Sequence, residues 1–163
     1  MTIGNTLLQE LIRETAGLRR FLDRIPEDKF AWQPHTKSMT LAMLAAHAAE
    51  IPEWAGMVVS SESFTIPEDY KPWIPANREE LLAKADEAIN SAKAALASVS
   101  DADIQKDWSL IACGETVLSM PRAAVIRSMV LNHLVHHRGQ LSVYLRLLDV
   151  PVPMVYGPSA DEQ

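Results

Sequence analysis

The stretch NHLVHHRGQLSVYLRLL, Asn132 to Leu148, decides how this chain is read. Three of the chain's five histidines fall within its first six residues, and its leucines recur at helical spacing. With His133 set at zero and about 100° per residue, Leu134, Leu141, Leu145 and Leu148 spread from about 60° to 120°. His137 falls at about 40° and His136 at about −60°. His133 and His137 therefore border or enter the buried stripe, while His136 turns away from it. Residues at i and i+4 lie one above the other on a helix, so the outer two imidazoles can share one ion.

Working outward, this helix extends back to Pro121, a residue suited to a first helical turn. Three further amphipathic patterns precede it. The first runs from about Gly4 to Arg24 and is closed by Pro26. The second opens at Ser38 or Thr40 and continues through LAMLAAHAAEIPEWAGMVVS, with Pro52 expected to kink it. On that wheel His47 lies near the middle of the buried stripe, with Leu44, Ile51, Trp54 and Val58. The third runs from Arg78 to about Val99, opened by a capping box of Asn77 and Glu80. Four such patterns predict an all-α, antiparallel four-helix bundle. The proline-rich SESFTIPEDYKPWIPA reads as a long surface connection. The β-branched residues around Cys113-Gly114 suggest a short hairpin before the last helix.

Composition narrows the classes of function. At 163 residues the chain is expected to form one domain, 1–163, large enough for a substantial core. Fifteen Lys plus Arg against twenty-one Asp plus Glu give a net charge of −6, which argues against a nucleic-acid partner. The one cysteine, Cys113, allows no intrachain disulfide and reads as an inert thiol. No basic-then-apolar leader opens the chain, and its longest uncharged apolar-rich stretch, Met39 to Ala49, is far shorter than the ~20 residues of a membrane span. The expected location is cytoplasmic, with no membrane partner.

A buried histidine taken alone is more often a core residue bonded to a carbonyl, and a helical H-x-x-x-H is weak evidence by itself. The combination of His47 on one buried stripe with His133 and His137 on another is stronger. Three neutral imidazoles in an apolar core need three separate partners, whereas one divalent cation satisfies all of them. Leu134 stands where the glutamate of an H-E-x-x-H motif would be, so a zincin-type protease is excluded. There is no Glu-x-x-His, and one cysteine cannot build a closed structural zinc site. Three histidines with an open position suit a catalytic or substrate-binding Zn or Ni, with Fe or Cu also compatible. Gln140, at about −20°, is placed to support a ligand beside His133, Arg138 to pair with an acid on a neighbouring helix, and Gly139 to admit a close neighbour. Tyr144 points as the histidines do but reads as a packed residue, and His35 as a solvated loop residue.

The run NHLVHHRGQLSVYLRLLDVPVPMVYGPSADE, together with WQPHTKSMTLAMLAAHAAEI, resembles the signature segments of DinB-like proteins, the DinB/YfiT superfamily. The resemblance implies a four-helix bundle in which His47, His133 and His137 hold one divalent metal ion, and it implies a homodimer. Some members of that superfamily transfer low-molecular-weight thiols, so a small-molecule substrate and a thiol partner are expected. Two readings of function stay open. One is a metal-dependent thiol transferase acting on a small electrophile, with metal-assisted hydrolysis as its variant. The other is a non-catalytic, metal-stabilised stress or binding protein.

Overall fold

The computed structural model describes residues 1–163. The first helix, α1 (Ile3–Asp23), is capped by Thr2, whose hydroxyl accepts from the Asn5 N–H. Pro26 follows, and a single 3₁₀ turn spans Glu27–Lys29. Thr40 caps α2 (Leu41–Glu50), its hydroxyl accepting from the Met43 N–H at 3.3 Å. Here the expected single kinked helix is corrected. Pro52 has no N–H to continue the ladder, and the pattern divides into α2 and a separate α3 (Glu53–Ser60). His47 stays in the intact part, its carbonyl accepting from the Ile51 N–H at 3.2 Å.

Asn77 caps α4 (Arg78–Ser98), its side chain accepting from the Glu80 N–H at 2.8 Å. The Glu80 carboxylate does not return to the cap residue as in a full capping box. It accepts instead from the Ala76 N–H and the Trp73 indole. A one-turn helix, α5 (Asp101–Ile104), leads into β2 (Asp107–Ala112) and β3 (Glu115–Pro121), the antiparallel hairpin expected around Cys113-Gly114. Both turn residues have positive φ, 51° at Cys113 and 77° at Gly114, the geometry of a tight hairpin turn.

The architecture is therefore mostly helical but not all-α. Residues Ser63–Thr65, inside the segment read as a plain connection, form β1. It pairs in parallel with β2, Phe64 opposite Leu110, making a three-stranded sheet in the order β1-β2-β3. The last helical pattern is also more complex than expected. It starts as α6 (Arg122–Val125), widens to a π-helical segment over Ile126–Asn132, and resumes as α7 (His133–Leu147).

Helix α1 packs on α4 and α7, α4 on α2 and α3, and α2 on α7. Their facing sides join in one apolar cluster that includes Leu11, Phe21, Leu44, Leu81, Leu134 and Leu141. The prolines after α7 turn the tail back over α1. There Arg24 donates to the Pro151 carbonyl at 2.9 Å, Arg20 reaches Glu162 at 2.5 Å, and Asp161 meets Arg146 at 2.5 Å. No helix is long and apolar enough to cross a membrane.

Candidate metal centre

His47 comes from α2, and His133 and His137 from the first turn and a half of α7. The contact between α2 and α7 brings the three together, with ligand atoms all within 4.8 Å of one another. His133 Nε2 lies 3.3 Å from His47 Nε2 and 2.8 Å from His137 Nε2. His137 is buried and the other two are half-buried. Burial is the leading cause that lowers the pKa of all three, and it combines with the neighbouring histidines to bring His47 down to about 4. The rings are thus held neutral, the form that binds metal.

Protons alone satisfy this cluster poorly. Gln140 Oε1 lies 2.7 Å from His137 Nδ1, so that nitrogen carries the proton and His137 Nε2 presents a lone pair. If His133 carried its proton on Nε2, it could donate to that lone pair. Its buried Nδ1 would then hold a second lone pair, with no hydrogen-bond partner and the Met129 carbonyl one turn back. If the proton sat on Nδ1 instead, two lone pairs would face each other across 2.8 Å. A cation at the centre removes the conflict in the second arrangement, so these residues fit a metal ion.

The remaining histidines take the places expected of them. His136 is exposed on the outer side of α7, its ring centroid 4.9 Å from that of His137. His35 is exposed in the loop before α2, accepting from the Lys37 N–H. Arg138 pairs with Glu14 at 2.8 Å, as its position at the stripe edge suggested, with only 4% and 9% of the two side chains exposed. Tyr144 packs edge-on against Trp32 and donates to the Met39 carbonyl, so it belongs to the core. Two expectations are corrected. Gln140 supports His137 and not His133. Nothing lies within 4 Å of a side chain built on Gly139; close approaches are found instead at Gly17, where an added Cβ would meet Arg138 Nη1 at 2.9 Å, and at Gly4, where it would meet the Leu96 carbonyl at 2.7 Å.

Beside the histidines lies a cavity of about 490 Å³, lined by thirteen residues of which ten are hydrophobic. His47 reaches into it, and Trp54 both lines it and stacks edge-on against His47 at 5.7 Å. The opposite wall is the sheet side, with Phe64 and Ile66 from β1 and its continuation and Trp108 and Leu110 from β2. Glu50 and Glu53 are its only other polar lining residues. The H-E-x-x-H and Glu-x-x-His spacings are absent from the sequence, yet Glu50 stands as an acid beside the histidines. It stands three residues after His47 on the same helix, an H-x-x-E spacing that carried the signal. Burial raises its pKa, with Lys84 opposing. Cys113, exposed at the hairpin tip, does not line the cavity.

A mostly helical frame, a small sheet against one end, and three convergent histidines define a protein of the DinB type. The DinB family model matches residues 1–163, and the chain belongs to that family. Among its relatives is YrdA of Bacillus subtilis (strain 168), itself uncharacterized, 24% identical over 153 residues that span 91% of this chain and 85% of that one. The fold is shared with a DinB-like protein from Bacillus cereus ATCC 10987, with a TM-score of 0.72, 21% identity, and coverage of 92% of this chain and 95% of that one. YjoA, a DinB-like protein of Bacillus subtilis, superposes with a TM-score of 0.66 at 15% identity over 97% of this chain and 99% of its own.

Proposed function

We propose that this protein is a divalent-metal-binding enzyme that joins a low-molecular-weight thiol to a small electrophile. The observation that carries the reading is the convergence of three neutral imidazole nitrogens at the edge of an apolar cavity. A divalent ion held there, Zn or Ni in this reading, would supply Lewis acidity that lowers the pKa of a thiol or water at its open position.

The protein's own groups do the rest. His47, His133 and His137 are the ligands in this reading, and Gln140 holds the His137 ring in one tautomer. Trp54 packs against His47 and His133, fixing both rings from the cavity side. The apolar walls keep bulk water from the electrophile, which favours sulfur over water as the nucleophile. The sulfur loses its proton to solvent and forms the S–C bond, and the electrophile's leaving group departs with its bonding pair. The family resemblance and the sequence further lead us to propose a cytoplasmic homodimer.

The test is incubation of metal-loaded protein with a panel of small thiols and 1-chloro-2,4-dinitrobenzene, with mass spectrometry for the thioether. A metal-dependent conjugate that disappears in His47→Ala supports the transferase. No conjugate across the panel overturns it in favour of a non-catalytic metal protein. Metal-assisted hydrolysis has one specific observation behind it, the unpaired Glu50 carboxyl beside His47 in the cavity, a group placed to take a proton from water.

A further inference from the structure

We infer that the cavity beside His47 binds an apolar small molecule between its aromatic walls and holds a cationic amine of that molecule against Glu50. The size and make-up of the cavity point to a ligand site. About 490 Å³ lies within the usual span of small-molecule pockets, and mostly apolar walls with a few converging polar groups are their usual lining. Four of the lining side chains are aromatic: Trp54, Phe64, Tyr70 and Trp108. Phe64 and Ile66 are each 37% exposed and Tyr70 58%, an apolar surface left open to solvent along one wall.

Charge selects among apolar ligands. His47, Glu50 and Glu53 are the only lining residues with an imidazole or a carboxylate, and neither Lys nor Arg lines the cavity. Glu53 is already neutralised by Lys84, whose Nζ lies 2.7 Å from its carboxylate. The Glu50 carboxylate enters no ion pair and accepts no hydrogen bond; Lys84 acts on it only from a distance, so Glu50 offers an unbonded carboxylate to an apolar, aromatic enclosure. In the metal-free cavity an anion would meet Glu50 with no cationic side chain in the wall to pair with. A protonated amine would gain a charged hydrogen bond to Glu50 and the faces of the surrounding rings. The molecule so placed lies beside the histidine triad, where the proposed function puts its electrophile. A carboxylate engaged by an ammonium group is not free to deprotonate water, so the assignment also favours the thiol over hydrolysis.

The assignment rests on the proposed function only for which reactant the molecule is; its binding is read without turnover. Isothermal titration calorimetry with the full chain compares three probes sharing one ring system: 1-naphthylmethylamine, 1-naphthalenemethanol and 1-naphthoate. The titrations are run on the protein as purified and again after chelator treatment; the probes are ranked on the treated sample, where no bound ion attracts the carboxylate, and metal content is measured on both. The amine is expected to bind about tenfold more tightly than the alcohol, and the carboxylate more weakly than either. Glu50→Gln should bring amine and alcohol within about twofold of each other, and Phe64→Ala, on an exposed wall, should weaken both alike. Equal or tighter binding of the alcohol or the carboxylate, an amine preference that survives Glu50→Gln, or no binding of any probe overturns the assignment. Failure of the metal reading appears separately, as untreated protein that binds these probes but holds no ion.

Discussion

His137 Nδ1 and Gln140 Oε1 are joined across 2.7 Å, less than one turn apart on α7, and this bond decides which nitrogen of His137 faces the other two histidines. A ligand whose tautomer is fixed from behind does not have to be reoriented when an ion arrives. Gln140→Ala should therefore lower metal affinity about 10- to 100-fold while leaving the fold unchanged, as Gln140 is itself exposed. Competition against a chromophoric chelator measures it, and an unchanged affinity would show that the bond does not support the site.

The triad makes a sharper demand. His47→Ala, His133→Ala and His137→Ala should each remove most of the bound divalent ion, whereas His136→Ala and His35→Ala should retain it. Elemental analysis of the purified variants decides the matter. Full metal in the His47 variant would mean that α7 alone supplies the site.

Behind the site, Arg138 and Glu14 form an ion pair with side chains 4% and 9% exposed, and the Tyr156 hydroxyl donates to Glu14 Oε2 at 2.7 Å. Removing one member leaves a buried charge without its partner. Arg138→Ala or Glu14→Ala should cost about 3 to 5 kcal/mol in urea unfolding. Tyr156→Phe, which removes two hydrogen bonds, one to Glu14 and one from Arg138, but neither charge, should cost about 2 kcal/mol. A double variant no worse than either single one is the expected signature of a shared interaction.

Acid should weaken the metal-free protein in a definite window. The usual histidine value is 6.5 and His47 is lowered to about 4, with His133 and His137 lowered in the same direction. Between those values the unfolded chain takes up protons that the folded one refuses, so stability falls as pH drops from about 6.5 to about 4. The tail carboxylates Asp161 and Glu162 are lowered by their hydrogen bonds and arginine partners, so their stabilising contribution is lost only at still lower pH. Urea midpoints at pH 7 and pH 5 test this, and His47→Gln should flatten the difference.

How much of this was legible beforehand varies with the range of the interactions concerned. Thr40 and Asn77 act within three residues of themselves; Asn77 stands where the sequence placed it, and Thr40 is one of the two caps the sequence offered for α2. The triad was readable because helical period alone turns His133 and His137 to one side and His136 to the other. The π segment was not readable: Ile126–Asn132 has an ordinary helical composition, and its wider turns are no part of the 100° wheel. Strand β1 was hidden for a related reason. Ser63–Thr65 is exposed throughout, lacks the half-buried alternation of a strand, and pairs with residues 46 positions away, as in Ser63 opposite Ser109. Glu50 lay in plain view but reads as the wet side of a helix until the sheet closes over it. Gly139 misled because helical glycine suggests close packing, and only the tertiary contacts show that the crowded glycines are Gly4, against the Leu96 carbonyl, and Gly17, against Arg138.

The three-residue strand β1 has a consequence beyond its size. The histidines stand on long helices tied into the core, so little in their surroundings can change without disturbing the whole molecule. Phe64 and Ile66, by contrast, belong to a connection attached to the sheet by one short parallel pairing. The histidine end and the apolar end of the site thus carry different evolutionary freedom. Replacing that one connection would give the same set of imidazoles a new clientele, with no helix rebuilt.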